Sequence, residues 1–62
     1  MNGFEYRDKL QKAKREYGTG IITIEQLYAV ADEYIAYIRD YKKRTGNKKL
    51  SIPSRSYLIR LV

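Results

Sequence analysis

Cysteine and histidine, two residue types that often carry chemistry, are absent from this 62-residue sequence. Without cysteine no disulfide can form, and without both residues the sequence lacks the ligands that zinc and similar metals prefer. The thiol nucleophile and the usual side-chain base near neutral pH are missing as well. The seven carboxylates are scattered along the chain, whereas magnesium-assisted phosphate transfer needs them to converge. We therefore expect no enzyme, no cofactor and no metal site.

Long apolar runs are missing too. No segment approaches the roughly 20 apolar residues that span a membrane, and residues 1–5 lack the basic and apolar regions of a signal peptide. These features predict a cytoplasmic protein with no membrane partner. The length predicts one domain, residues 1–62, which buries only roughly 60% of its unfolded surface. Self-association is therefore the expected source of extra stability.

The first segment with helical periodicity lies near the N-terminus. Four of its residues recur at intervals that place them on one stripe of a helix, namely Tyr6, Leu10, Ala13 and Tyr17. Asn2 and Glu5 have the spacing of a capping box at its start. We predict a helix from about Gly3 to Tyr17, which Gly18 ends in the left-handed conformation.

A second and longer helix follows. Residues 21–24 are rich in β-branched side chains, which also favours a short strand. A helix start explains them better, because Thr23 and Gln26 have the spacing of another capping box. We predict that this helix runs from Ile24 to about Thr45 and that Gly46 ends it.

The second helix carries a seam of apolar residues with heptad spacing, beside further apolar positions that one partner helix would not cover. We predict that two chains pair through this seam into a dimeric bundle. The predicted dimer-interface residues are Leu27, Ala31, Tyr34, Ile38 and Tyr41. The first and third helices of the same chain can instead cover the seam, and the sequence leaves both arrangements open.

The tail from Ser54 to Val62 predicts a short third helix after a solvated linker. Ser51 can cap this helix, with Pro53 in its first turn. Residues 57–62 are also compatible with a strand, since a short apolar run does not distinguish the two. The predicted fold class is all-α: a helical hairpin with a long second helix, and a short C-terminal helix folded across its open end.

Charge is distributed very unevenly along the chain. Residues 1–38 contain five Lys or Arg against six Asp or Glu, whereas residues 39–62 contain eight against one. The eight cations of the second part are Arg39, Lys42, Lys43, Arg44, Lys48, Lys49, Arg55 and Arg60. Cations at a helix C-terminus complement the macrodipole, but this does not explain those beyond residue 46. A concentration of one sign attracts polyanions and neutralises phosphates.

Two further sets of residues bear on ligand binding. Arg55, Ser56 and Tyr57 begin the third helix and carry groups that contact phosphates or base edges, so they are the expected source of any sequence preference. Tyrosines at helical spacing are usually core or interface residues. Of the seven tyrosines, only Tyr37 and Tyr57 are expected to be free to stack on a ligand.

The leading functional expectation is a small DNA- or RNA-binding or regulatory protein. Its phosphate contacts come from the eight cations, with Ser56 and Tyr57 beside them. The alternative is a protein-interaction module, an inhibitor or adaptor of the kind that phages and mobile elements encode, which docks through the aromatic face of the second helix. Salt separates the two, because phosphate binding weakens steeply as salt rises.

Overall fold

A computed structural model describes residues 2–62 and contains three α-helices and no strand over that range. Helix α1 spans Gly3–Gly18, α2 spans Ile24–Thr45 and α3 spans Arg55–Leu61. The predicted all-α class and the hairpin with a short C-terminal helix are confirmed. The final segment is helical through Leu61, so the strand alternative is wrong.

Reciprocal capping boxes fix the starts of both long helices, as their spacing predicts. The Asn2 side chain accepts a hydrogen bond from the Glu5 backbone N–H at 3.0 Å, and the Glu5 carboxylate accepts one from the Asn2 N–H at 3.0 Å. Thr23 and Gln26 repeat the arrangement at the start of α2, with distances of 3.2 and 2.8 Å. Each box satisfies two of the N–H groups that a helix start leaves without an intrahelical partner.

Glycines end the two long helices, but one of them is not the predicted residue. Gly46 ends α2 in the left-handed conformation, with φ of 65°. After α1 the left-handed residue is Gly20, with φ of 80°, whereas Gly18 is still the last residue of the helix. The Ile21 N–H donates to the Glu16 carbonyl at 2.8 Å, which is the long hydrogen bond of a Schellman motif. That bond places the left-handed position two residues after Gly18, so the prediction for Gly18 is wrong.

The third helix begins three residues later than its predicted cap. Ser54 is the N-cap, and its side chain accepts a hydrogen bond from the Tyr57 N–H at 3.2 Å. The assignment of the cap to Ser51 is wrong because a proline disfavours helical backbone in the residue before it. With Pro53 in place, Ile52 stays outside the helix, and α3 begins at Arg55 after the Ser54 cap.

All three helices contribute to one small core. Its buried residues are Leu10, Ala13, Leu27, Ala31, Ile35 and Leu58. Leu58 is the only buried residue of α3 within residues 2–62, so this leucine anchors the short helix on the hairpin. The Lys14 Nζ also donates to the backbone oxygen of Val62 at 2.9 Å, which ties the end of α3 to α1.

The apolar seam of α2 is divided between the core and the surface. Leu27 and Ala31 are 1% and 0% exposed within the single chain, so they have no surface left for a partner and the dimer contact predicted for them is corrected. Tyr34 and Ile38 are half-buried, and Tyr41 is 44% exposed. The first half of the seam is therefore covered by the chain's own helices, and the second half remains open.

Candidate nucleic-acid interface

The last turns of α2 and the linker after it line a shallow concavity of about 360 Å³ that is open to solvent. Four cations line it, namely Arg39, Lys42, Lys43 and Lys48. Gly46, Asn47 and Ile52 complete its wall, and no Asp or Glu of the described chain lines it. We call this concavity the basic cavity.

Helical spacing and a glycine turn bring these cations together. Arg39, Lys42 and Lys43 are three and four positions apart, so they share one face of α2. The left-handed Gly46 ends the helix and turns the chain, and Lys48 therefore lies beside the helix end and not one turn farther along its axis. Two local features of the sequence, a run of cations and a glycine, are enough to build the cavity.

No ion pair within residues 2–62 includes a cation of the basic cavity, although Asp40 lies beside Lys43 in an adjoining depression. The two ion pairs found within residues 2–62 join Lys9 to Glu33 at 2.8 Å and Arg55 to Asp32 at 3.5 Å, and both lie elsewhere. Like charges at helical spacing repel one another. Water and salt screen this repulsion, and a bound anion would relieve it further.

Two more of the predicted cations lie near the basic cavity without lining it. Arg44 is exposed beside an adjoining depression that it shares with Tyr37, Asp40 and Lys43. Lys49 is exposed in the linker, where its N–H donates to the Asn47 side chain at 3.1 Å. Both can add to the positive potential around the cavity.

The cations of α3 are not brought to the basic cavity. The Arg55 guanidinium lies 5.1 Å from the centre of the Tyr28 ring and pairs with Asp32. Asp32 precedes Lys42 by ten residues of α2, which is about 15 Å along the helix. Ser56 and Arg60 are exposed on α3 and do not line the cavity. The predicted group of ten site residues is thus divided into a cluster on α2 and a separate set on α3.

A second concavity, of about 590 Å³, lies between α2, α3 and the linker. Four tyrosines line it, namely Tyr34, Tyr37, Tyr41 and Tyr57. The rest of its wall is mainly apolar, with Ile38, Leu50, Pro53 and Leu61. We call this concavity the tyrosine groove. Sequence reasoning missed the parts played by Leu50 and Pro53; the available signal was their position as apolar residues in an otherwise solvated, lysine-rich linker.

The tyrosines of the groove differ in how free their rings are. Tyr37 packs against Tyr6 with ring centres 4.9 Å apart and against Tyr41 at 6.4 Å, so the expectation that Tyr37 is free for a ligand is corrected. Tyr34 packs against Tyr6 at 5.9 Å. Tyr57 is 53% exposed, as expected, and Tyr41 is 44% exposed. Two rings, Tyr41 and Tyr57, therefore remain open to a ligand.

The basic cavity and the tyrosine groove are lined by different residues of the same two segments, the C-terminal half of α2 and the linker. On α2, Tyr41 lines the groove and the next residue, Lys42, lines the cavity. In the linker, Lys48 and Ile52 line the cavity, whereas Leu50 lines the groove. No residue lines both concavities, and Tyr41 and Lys42 are about 100° apart around the helix. The cationic and the aromatic surfaces therefore lie on different faces of α2, and the linker contributes to both.

Comparison with known proteins gives no match. A scan against models of protein families and searches of curated proteins and of solved structures all found none. Over residues 2–62, no helix is long and apolar enough to cross a membrane. The same part of the chain holds no group of three or more acidic residues placed to bind a metal ion.

Proposed function

We propose that this chain is a nucleic-acid-binding protein that holds phosphate groups in the basic cavity. The observation that supports the proposal is the convergence of Arg39, Lys42, Lys43 and Lys48 on one concavity that no carboxylate lines. The proposal involves no catalytic step and no cofactor. A regulatory role, exerted by occupying the nucleic acid, is part of the same proposal.

The number and the placement of the four cations support phosphate binding. A single exposed ion pair contributes little, about 0–1 kcal/mol, so one lysine carries no argument. Four cations beside one another gain several such contacts from a single polyanion, and each contact releases counterions that were condensed on it. Complementing the dipole of α2 accounts for the cations of its last turns. It does not require four cations to line one concavity, which is the feature that phosphate binding explains.

The test compares two triple variants that remove the same charge. Lys42→Gln, Lys43→Gln and Lys48→Gln together remove three of the four cations of the basic cavity; glutamine is used because glutamate would place an anion at the C-terminal end of α2. The matched control neutralises three exposed cations of α1, Arg7→Gln, Lys12→Gln and Arg15→Gln. Circular dichroism of both variants establishes that the helices remain.

The expected result is a loss of affinity for a labelled oligonucleotide that is specific to the cavity variant. At roughly 0.5–1 kcal/mol for each cation removed, the three substitutions weaken binding about tenfold or more, and the control changes it much less. Equal losses in the two variants would show that only net charge matters, which would contradict a site in the basic cavity.

The tyrosine groove supports a second candidate function, the docking of a protein partner. Its volume and its apolar lining are typical of surfaces that receive a side chain or a helix from another protein. The partner can be a second copy of this chain, which would satisfy the open half of the α2 seam through Ile38 and Tyr41. Sedimentation equilibrium over a range of protein concentrations tests the second copy. Binding that survives high salt would favour this candidate over the first.

A further inference from the structure

We propose that the nucleic acid recognised by this protein is single-stranded, and that its unpaired bases enter the tyrosine groove and stack on Tyr41 and Tyr57 while its phosphates lie in the basic cavity. This inference rests on the proposed function and names its substrate class. The supporting observation is that an open aromatic groove and a cationic cavity share the linker and the C-terminal half of α2.

Two tyrosine rings of the groove are accessible to a base. Tyr41 and Tyr57 are 44% and 53% exposed and line opposite walls of the groove, one on α2 and the other on α3. Every nucleobase has a π face, so stacking on a tyrosine tolerates any sequence. The ring of Tyr41 packs against that of Tyr37, which lines the same groove, with centres 6.4 Å apart. A base therefore meets a ring that is already positioned.

The concave shape of the tyrosine groove suits an unpaired base better than a duplex. In a duplex the base faces are stacked on one another and only their edges are accessible in the grooves. A concave site between two helices cannot reach those faces, whereas an unpaired base can project into it. Tyrosine rings that line a groove can therefore stack on the bases of a single strand but not on those of a duplex.

Helix α3 carries the residues that were predicted to contact the base edges of a duplex. Direct readout in the major groove needs a helix whose side chains are free to reach base edges. Helix α3 has seven residues, and the guanidinium of its first residue, Arg55, is engaged with Asp32 and Tyr28. Arg55 would have to leave both of these contacts before it could reach a base edge. The described part of the chain is better suited to stacking than to reading base edges.

The experiment measures the binding of three probes that carry matched numbers of phosphates. They are a labelled oligothymidylate, a strand of equal length with abasic sites in place of the bases, and a duplex with the same total number of phosphates. The single strands have about 24 nucleotides, which exceed the 39 Å length of the molecule even at the about 3.4 Å spacing that a strand has in a duplex. The matched duplex then has about 12 base pairs and stays paired. The oligothymidylate should bind at least about fivefold more tightly than either other probe.

The variants replace the rings and keep apolar bulk. Tyr41→Leu with Tyr57→Leu should reduce the affinity for oligothymidylate by about fivefold to a hundredfold per ring and leave the affinity for the abasic strand unchanged. Tyr41→Phe with Tyr57→Phe keeps the rings and should restore binding. Tyr17→Leu is the matched control, because Tyr17 is equally exposed, at 43%, and lies on α1 away from the groove.

The outcomes separate this inference from the function on which it rests. Equal binding of the abasic strand and the oligothymidylate, with no effect of the leucine variants, would overturn the stacking inference and leave phosphate binding intact. Tighter binding of the duplex would overturn it in the same way, as would a dimer that buries the groove. Failure of all three probes to bind at low salt would overturn both proposals.

Discussion

The rings of Tyr6 and Tyr37 lie with their centres 4.9 Å apart, one on the first turns of α1 and the other on the C-terminal half of α2. This pair closes the open end of the hairpin, beyond the last buried aliphatic residues. Tyr37 also lines the tyrosine groove and packs against Tyr41 there, so the packing of the hairpin and the wall of the tyrosine groove depend on one another.

Replacing Tyr6 with alanine should therefore lower the free energy of unfolding. An aromatic pair contributes about 0.5–1.5 kcal/mol beyond its buried area, and Tyr6 contacts two rings, so we expect a loss of about 1–3 kcal/mol. Urea denaturation followed by circular dichroism measures it. Tyr17→Ala, at a half-exposed ring on the same helix, should change stability by less than about 0.5 kcal/mol. Equal effects of the two substitutions would contradict a structural role for the Tyr6 stack.

The two glycines after α1 should respond to alanine with opposite signs. Gly18 is helical with open space around its Cα, and alanine there should stabilise the protein by up to about 1 kcal/mol. Gly20 has φ of 80°, and alanine there should cost about 1–2 kcal/mol. Thermal unfolding of the two variants checks both values. Destabilisation by Gly18→Ala that exceeds that of Gly20→Ala would contradict the Schellman geometry.

The cap of α3 can be located by two serine substitutions. Ser54→Ala removes the side-chain oxygen that accepts the Tyr57 N–H and should cost about 0.5–2 kcal/mol. Ser51→Ala, three residues earlier and outside the helix, should have little effect on stability. The melting temperatures of the two variants distinguish them, and an unchanged melting temperature for Ser54→Ala would argue against this helix start.

Leu58 should be essential for docking α3. It is 5% exposed in the core, whereas Leu61 on the same helix is 61% exposed. Leu58→Ala should cost about 2–5 kcal/mol, a large part of the stability that so short a chain can have. Leu61→Ala, measured by the same urea denaturation, should cost well under about 1 kcal/mol. A small loss for Leu58→Ala would mean that α3 is not held by this contact.

The sequence predicts most of this fold because the signals that define it are local. The Asn2 and Thr23 caps, the long second helix and the stop at Gly46 each depend on neighbouring residues only. The positions of Gly20 and Ser54 required choosing between nearby residues of the same type, and proline sterics and turn geometry decide those choices. In both cases the error is only two or three residues.

The candidate site is harder to predict because it depends on how α3 crosses the hairpin. The cations of α2 and Lys48 follow from helical spacing and one turn. Nothing local indicates that Arg55 packs over Tyr28 and Asp32, away from those cations. The tyrosine groove likewise exists only when the linker and α3 fold against α2, so Leu50 and Pro53 gain a role that the sequence alone does not reveal.

The central claim is that phosphate groups bind in the basic cavity, and its most direct test is the salt dependence of binding. Anisotropy titrations of the labelled oligothymidylate, between about 50 and 200 mM salt, give the slope of log affinity against log salt. They are made with the natural chain and with the variant that replaces Lys42, Lys43 and Lys48 by glutamine. Each phosphate contact on a single strand contributes about −0.7 to this slope. The account predicts a steep slope for the natural chain and one shallower by about 2 for the variant; identical slopes, or no binding at the lowest salt, would contradict it.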